Sequence, residues 1–386
     1  MDHQESRGFL IGQIRKARPA VAILIALVLL AVADRRLRAI ENIPDLVLRS
    51  EYRSQAALPY MLARMRKDDP SVVFLGASVM QGVTNTMPED AFPMVIRSKL
   101  RAKGREVYCF NTATMGHNIG DQYCLAAAAI TNGADALVLA AHYKLLSSHP
   151  IVGNPLRFKQ FAYFLRTEKG HRKLIARTFE ISRFQWWGIL LRGKLSNIWG
   201  LYRYRELVPY LLTGSMDDPL LQFQDAYARQ WNLTFEGEIG RNVLRGFDLQ
   251  ERERDDLWKQ MIDTHHERDR EIYNDLNVNR HNPHFKMMSR IAHAAQRANV
   301  PLLIYFSPLN RALNEEKNYF QYNNVEHLKE LVRVLTEETG ATLIDANDAV
   351  PPQYFSDMDH FNRKGHLIMA DRLAPAVEAM LDRRKK

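Results

Sequence analysis

Five short, almost continuously apolar runs constrain the fold of this 386-residue chain more than any other feature of its sequence. Most of the runs are bounded by Gly, Asn, Asp or Pro, as expected of strands that are buried on both faces of a parallel sheet. The runs are VVFL (72–75), VYCF (107–110), ALVLAA (136–141), PLLIYF (301–306) and ATLIDA (341–346).

Segments with helical periodicity separate these runs. Apolar residues recur at helical spacing in 91–104, 284–299 and 325–340, and the last segment closes at Gly340. This alternation predicts an α/β fold with a doubly wound, five-stranded parallel sheet. The interval between the third and fourth runs is too long for one crossover, so we expect a helical insertion at about 150–283.

The stretch PAVAILIALVLLAVA, residues 19–33, contains no charged side chain and has basic residues on both sides. It is shorter than the roughly 20 residues that a spanning helix prefers, but flanking Arg and Lys side chains can reach the interface. We expect an uncleaved single-pass anchor over 19–34. A cleaved signal peptide is the alternative, because Ala31-Val32-Ala33 has the small-x-small form of a cleavage site.

The expected domain layout follows from this anchor. Residues 1–18 form an N-terminal tail, 19–34 the membrane anchor, 35–70 a linker or helical lead-in, and 71–386 the main domain. Basic residues are similarly abundant on both flanks, so the positive-inside rule does not set the orientation. A short tail before a large body is typical of an anchored, exported domain, and we expect an extracytoplasmic body.

The formal net charge is +9, and the arginines are scattered along the whole chain. Such a surplus suits an acidic partner, such as an anionic membrane surface or polymer. The sequence contains no zinc-finger spacing, no RNP-like pattern and no basic helix with heptads, so we predict no nucleic-acid partner.

The sequence predicts neither a metal site nor a cofactor. His265, His266 and Glu267 are adjacent and cannot share one helix face as ligands. The two cysteines, Cys109 and Cys124, could pair outside the cytoplasm or remain two buried thiols, and the sequence leaves both readings open.

The expected insertion is rich in aromatic residues, in FQWWGILL (184–191) and NIWGLYRYRELVPYLL (197–212). These side chains either pack against the core or form a surface that faces a membrane or a partner. The later stretch 248–276 is highly charged and is expected to form a solvated helix.

A serine stands where the first predicted strand ends, in SVVFLGASVMQG (71–82). Ser78 needs a base, and the chain supplies Asp357 and His360 in D-x-x-H spacing after the fifth strand. Loops that follow parallel strands gather at one edge of the sheet, so these residues are expected to meet. The alternative is that Ser78 only suits a turn and Asp357 only caps a segment.

Three segments resemble blocks of the SGNH (GDSL-like) hydrolase superfamily: GASVMQG (76–82), NTATMG (111–116) and DMDHFNRKGH (357–366). The resemblance implies a flavodoxin-like fold and a catalytic Ser78, His360 and Asp357. It also implies an oxyanion hole that is formed by the backbone amides of Ser78 and Gly116.

The chain departs from the family pattern at two places. Ala77 stands where the family usually has Asp, and AHYKLL (141–146) lacks the Gly-x-Asn whose amide binds the oxyanion. Either His142, Tyr143 or Lys144 takes over that role, or no residue does. Loss of one such donor typically costs about 10²–10³ in rate.

The layout of anchor, serine, insertion and C-terminal D-x-x-H looks like the DltD-like branch of this superfamily. That likeness implies a membrane-anchored serine O-acyltransferase or esterase that acts on acyl groups of an envelope or extracellular polysaccharide through an acyl-serine. It also implies a membrane-bound O-acyltransferase as partner. The alternatives are an inactive assembly factor that docks to such an enzyme, and a released lipase or deacetylase if cleavage follows Ala33.

Overall fold

The structure, a computed structural model, describes the greater part of the chain. The described residues are 21–35, 62, 69–81, 90–114, 116–147, 149, 152–168, 170–203, 267, 270–276 and 278–384. The predicted tail (1–18) and most of the predicted lead-in (35–70) lie outside them. So do residues 204–266 of the insertion, including His265 and His266.

Five parallel strands form one sheet with the order β2-β1-β3-β4-β5. The strands are β1 (Ser71–Leu75), β2 (Tyr108–Asn111), β3 (Ala136–Ala141), β4 (Leu302–Phe306) and β5 (Thr342–Asp345). This confirms the predicted five-stranded parallel sheet. The chain places β2 on one side of β1 and β3 on the other, so the strand order reverses at β1. In open α/β sheets, ligands bind at the carboxyl ends of the strands beside such a reversal.

Helices are numbered here in chain order within the described residues. They are α1 (Ser78–Gln81), α2 (Phe92–Ala102), α3 (Ile119–Thr131), α4 (Tyr143–Leu146), α5 (His171–Arg177), α6 (Arg183–Ile198), α7 (Gly200–Arg203), α8 (Pro283–Arg297), α9 (Arg311–Lys317), α10 (Tyr322–Thr339) and α11 (Arg363–Arg384). Two 3₁₀ segments cover Lys159–Leu165 and Pro352–Tyr354. The predicted end of α10 is confirmed, since Gly340 caps it in the left-handed conformation.

The sheet is covered by helices on both faces, as a doubly wound fold requires. Successive residues of β1 point to opposite faces: Val72 and Phe74 lie in one hydrophobic cluster, and Val73 and Leu75 in the other. Helices α2 and α11 contribute to the first cluster, whereas α3, α8 and α10 contribute to the second. Helices α2 and α11 thus share one face of the sheet.

One strand is less buried than its sequence predicts. The run 341–346 was expected to be buried on both faces, but three residues of β5 are half-buried and Asp345 is exposed. Both β5 and β2 lie at an edge of the sheet, but three of the four residues of β2 are buried, so edge position alone does not account for the exposure of β5. The expectation of burial is wrong for this strand.

The two cysteines are free and buried. Cys109 packs in the cluster beneath α2 and α11, and Cys124 packs in the cluster on the opposite face. The sheet separates them, so the structure supports two buried thiols and not a disulfide. Burial raises the pKa of the Cys109 thiol to about 12, against a smaller opposing effect of two arginines.

The described part of the insertion is helical and is attached to α3 by a buried carboxylate. Asp121 accepts backbone N–H groups of Phe158 at 2.8 Å and Arg157 at 3.2 Å. In the stretch 184–191 of α6, one side of the helix packs against the core and the other is open to solvent. Ile189 is buried, whereas Phe184 and Trp187 are 87% and 62% exposed. Of the charged stretch 248–276, residues 270–274 are helical and 248–266 lie outside the description.

Residues 21–35 are helical, and their apolar side chains are mostly exposed. Near the end of this segment, Asp34 Oδ1 accepts the backbone N–H of Leu201 at 2.9 Å. Among the residues that the structure describes, no helix combines the length and the apolar character needed to cross a membrane. Residues 19 and 20 of the predicted anchor lie outside the description.

Candidate active site

The turn after β1 brings Ser78 to the carboxyl end of the sheet. The carbonyl oxygen of Ala77 accepts the backbone N–H groups of Met80 and Gln81, both at 3.1 Å, which starts α1 at the serine. A Cβ atom on Gly76 would lie 2.8 Å from the Met80 sulfur. Glycine therefore allows the tight turn that leaves Ser78 half-buried at the edge of the sheet.

The segment after β5 folds into a second tight turn. Phe355 and Phe361 form an antiparallel bridge at its base. Inside the turn, Asp357 Oδ1 accepts the backbone N–H groups of Asp359 at 2.8 Å and His360 at 2.6 Å. One oxygen of Asp357 thus fixes the turn, which leaves the other oxygen for the imidazole ring.

The two turns meet, and the three residues that the sequence singled out lie in one chain of short contacts. His360 Nε2 is 2.7 Å from Ser78 Oγ, although 282 positions separate these residues in the sequence. His360 Nδ1 is 2.7 Å from Asp357 Oδ2. In this arrangement the imidazole is able to take the hydroxyl proton at Nε2 while the carboxylate holds Nδ1–H.

A second carboxylate, which sequence reasoning missed, faces the same ring nitrogen. Asp359 Oδ1 lies 2.8 Å from His360 Nδ1, and the Asp359 side chain is only 4% exposed. Its other oxygen lies 2.7 Å from the Tyr273 hydroxyl and 3.0 Å from His142 Nε2. The one signal in the sequence is that D-M-D-H carries two carboxylates, at Asp357 and Asp359.

These contacts change the acid–base properties of the site. Burial alone lowers the pKa of His360, but Asp357 and Asp359 outweigh it and raise that pKa to about 10. Burial raises the pKa of Asp359, yet the nearby His360 and His142 hold it well below its usual range. Burial lowers the pKa of the neighbouring His366 to about 3, and that ring accepts the Phe92 N–H at 3.3 Å.

The loop after β2 lies beside the serine turn. Thr112 Oγ1 donates to the Phe74 carbonyl at 2.7 Å, and Asn111 Nδ2 donates to the Met80 carbonyl at 3.1 Å. Gly116 follows in this loop with a φ of 79°, a conformation that glycine adopts without strain. The oxyanion role of the Ser78 and Gly116 amides stays a prediction, because no described contact measures it.

The loop after β3 carries the departure from the family pattern. His142 precedes α4 and lies against Asp359, while the Tyr143 ring is buried and stacks on Phe306 at a centroid distance of 5.9 Å. Lys144 is half-buried at the start of the same short helix. Among the described contacts, none brings His142 or Tyr143 to Ser78.

Asp357, Asp359 and His360 also place one ligand atom each within 4.8 Å of one another. A metal would bind Nδ1 only in its deprotonated form. Here both carboxylates face Nδ1 as acceptors, so a shared N–H accounts for the cluster without a cation.

Comparisons with known proteins give weak likenesses. A family model that carries no functional description matches residues 250–382, about a third of the chain. No curated protein sequence matches the chain.

Several solved structures resemble the chain over most of its length. A carbohydrate acetylesterase family member from Sinorhizobium meliloti is 14% identical, with 81% of this chain and 99% of that chain covered and a TM-score of 0.35. LAE5, an α/β hydrolase from the metagenome of Lake Arreo, is 10% identical, with 81% and 96% covered and a TM-score of 0.37. A lipase/acylhydrolase from Enterococcus faecalis is 10% identical, with 80% and 96% covered and a TM-score of 0.34. Likenesses of this size establish neither the family nor the activity of this chain.

Proposed function

We propose that this protein is a serine esterase or O-acyltransferase of the SGNH type. The observation that carries the proposal is the continuous chain of contacts from Ser78 Oγ through His360 to Asp357. These side chains come from opposite ends of the sequence and meet at the carboxyl edge of a parallel sheet, where ligands of open α/β folds bind. The three sequence blocks that resemble the superfamily support the same assignment.

The proposed reaction has two steps. Ser78 Oγ attacks the carbonyl carbon of an acyl ester, and its proton passes to His360 Nε2 while the new Oγ–C bond forms. The ester C–O bond then breaks, and His360 gives that proton to the departing alkoxide, so that an alcohol leaves and the acyl group stays on Ser78. In the second step, His360 takes a proton from water or from an acceptor hydroxyl, whose oxygen attacks the acyl carbon. The bond between this carbon and Ser78 Oγ breaks, and His360 returns the proton to Oγ.

The tetrahedral intermediates of both steps carry a negative oxygen. We assign its stabilisation to the backbone amides of Ser78 and Gly116. The N–H groups in the first turn of a helix have no carbonyl partner within that helix, which suits the Ser78 amide for this role.

For the substrate, we propose acyl groups on an envelope or extracellular polysaccharide, as the DltD-like layout implies. The exposed faces of Phe184, Trp187 and Trp199 support this proposal, because flat aromatic surfaces suit sugar rings. Transfer to a sugar hydroxyl exceeds hydrolysis only where the acceptor is positioned and water is excluded.

We further propose that residues 19–34 hold the protein at a membrane, with the main domain outside the cytoplasm. The charge-free run 19–33 and the exposed apolar side chains of 21–32 support this. A membrane-bound O-acyltransferase is the proposed protein partner. Fractionation of cells that express the full chain, or the chain without residues 1–35, tests the anchor: only the full chain should sediment with membranes.

The activity is tested with p-nitrophenyl acetate and an acetylated oligosaccharide. We expect Ser78→Ala to lose measurable hydrolysis, and His360→Gln to do the same, since glutamine cannot act as a base. Ser98→Ala is the matched control, because Ser98 is exposed on α2 and donates only to the Met94 carbonyl among its described contacts. Hydrolysis that persists in Ser78→Ala would contradict the proposal.

The second candidate function is an inactive assembly factor that docks to a membrane-bound O-acyltransferase. The observation that favours it is the loop after β3, in which His142 lies at Asp359 and no asparagine is present. A correctly folded wild type without hydrolase or transferase activity, that nevertheless co-purifies with such an enzyme, would support this candidate instead.

A further inference from the structure

The imidazole of His360 has one N–H at Nδ1 and two carboxylates within reach of it. Asp357 Oδ2 lies at 2.7 Å and Asp359 Oδ1 at 2.8 Å from the same nitrogen. The proposed mechanism uses only Asp357. Asp359 is the more deeply buried of the two, with a side chain that is 4% exposed against 15% for Asp357.

A buried carboxylate is stable only when other groups compensate it. Asp359 is compensated from three directions: by His360, by the Tyr273 hydroxyl at 2.7 Å, and by His142 Nε2 at 3.0 Å. Tyr273 is itself fully buried in the main hydrophobic cluster, so the hydroxyl has a fixed position. Asp359 is therefore held by other elements of the fold than Asp357, which accepts backbone N–H groups of its own turn.

We propose that Asp359 is a second positioning residue for His360, which shares with Asp357 the tasks of fixing the Nδ1–H tautomer and compensating the imidazolium. His142 and Tyr273 hold Asp359 in place for this purpose. The inference rests on the proposed function, since it adds a residue to the same proton transfer.

Two carboxylates matter because either of them can keep the His360 proton on Nδ1, which leaves Nε2 free to act as the base. When the single orienting carboxylate of a triad becomes an amide, the amide donates to Nδ1, and the proton moves to Nε2, where it blocks the base. With two carboxylates, the loss of one leaves an acceptor for Nδ1–H. Each single replacement should therefore be tolerated far better than the loss of both.

The first experiment compares wild type, Asp357→Asn, Asp359→Asn and the double variant by the pH-independent kcat/KM for p-nitrophenyl acetate. This value is taken above the His360 pKa of each protein, so that a change in the neutral fraction of the imidazole does not mask the loss. We expect each single variant to lose about tenfold and the double variant about 10⁴-fold, the size of the loss when a triad has no orienting carboxylate. The double loss thus exceeds the product of the single losses. Asp371→Asn is the matched control, because Asp371 is an exposed partner of Lys99 on the surface.

The second experiment measures the pKa of His360 by titration of its ¹⁵N-labelled ring in NMR spectra, which needs no activity. The groups that face the ring are Ser78, Asp357, Asp359 and His366, with His142 and Tyr273 behind Asp359. We expect Asp359→Asn to lower this pKa, because the imidazolium loses a carboxylate. Tyr273→Phe should raise it, because Asp359 loses a donor and its charge acts more strongly on His360.

These opposite shifts test whether Asp359 compensates the imidazolium, and the loss in the double variant beyond the product of the single losses tests whether it also fixes the tautomer. Tyr273→Phe keeps the buried ring, so it tests the inference even if Asp359→Asn fails to fold. An unchanged titration in both variants, or a double variant no slower than Asp357→Asn, would overturn the inference. A wild type that shows the expected titration but neither hydrolyses an ester nor transfers an acyl group would overturn the proposed function alone.

Discussion

The loops after β1 and β5 differ sharply from the loop after β3, although all three leave the same edge of the sheet. The first two bring Ser78, Asp357 and His360 into contact, as their sequence motifs predict. The third lacks the expected asparagine, and its His142 lies against Asp359. Both departures from the SGNH blocks, Ala77 and the missing asparagine, thus leave the contacts among Ser78, His360 and Asp357 intact.

The largest expected effect comes from the loop after β5. His360→Gln should lower kcat/KM by roughly 10⁴–10⁶-fold, because among the described contacts only His360 is placed to take the Ser78 proton. Glutamine still donates to the buried carboxylates but carries no charge, so we expect an unchanged circular dichroism spectrum and a lower melting temperature at pH 7. The exposed His327→Gln on α10 serves as control. Near-normal turnover in His360→Gln would remove the base from the proposed site.

The next effect is the dependence on pH. Because the two carboxylates raise the His360 pKa to about 10, only the small neutral fraction accepts a proton at pH 7. We expect kcat/KM to rise about tenfold per pH unit above pH 7 and to level off near pH 10. A rate already level at pH 7 would show that the two carboxylates do not raise the pKa of His360.

The same shift has a consequence for stability. A pKa raised from 6.5 to about 10 means that the folded state binds this proton more tightly than the unfolded chain. The stabilisation is fully present below pH 6.5 and is lost as the pH rises through 10. Urea unfolding of wild type at pH 6.5 and 9.5, compared with His360→Gln, measures it, and equal pH dependence of both proteins would contradict it.

A substitution in the turn after β1 should have a smaller effect, and should change the stability of the fold more than the catalytic rate. In Gly76→Ala the new Cβ atom meets the Met80 sulfur at 2.8 Å and the Met80 Cβ at 2.9 Å. We expect a loss of about 1–3 kcal/mol in the free energy of unfolding, as for other overpacked sites. Gly188→Ala on α6 is the control, since its nearest neighbour is the end of an arginine side chain at 3.6 Å. Equal stability of the two variants would mean that the turn relaxes without cost.

The smallest expected effect comes from a substitution in the loop after β3. It tests whether a residue of this loop donates to the oxyanion. His142→Ala should lower kcat/KM by no more than about tenfold, because His142 acts only through Asp359. A residue that donated directly to the oxyanion would cost about 10²–10³ instead. Tyr143→Phe should behave as wild type. A loss of a hundredfold or more in His142→Ala would place this loop at the oxyanion after all.

The sheet and the meeting of Ser78 with His360 could be predicted because they depend on local patterns and topology. Apolar runs give strands, and parallel strands place their following loops at one edge. The partial exposure of β5 could not be predicted, since its sequence resembles that of the central strands. Strand order does not account for it either, because β2 lies at the opposite edge of the sheet and is largely buried.

The second carboxylate was missed for a different reason. The residues that hold Asp359 are His142 and Tyr273, and 86 positions separate Tyr273 from it. No local spacing connects the three residues, so only the packed structure brings them together. The D-M-D-H sequence shows that a second acidic residue, Asp359, precedes His360. It does not show that the Asp359 side chain points toward the imidazole ring.

The most direct test of the account is the site of a covalent adduct. Wild type, Ser78→Ala and His360→Gln are treated with a fluorophosphonate probe at pH 9, digested, and analysed by mass spectrometry. We predict one adduct, on the wild-type peptide that carries Ser78, and none in either variant. An adduct on another residue, or equal labelling of Ser78→Ala, would contradict the claim that His360 activates Ser78 as the nucleophile.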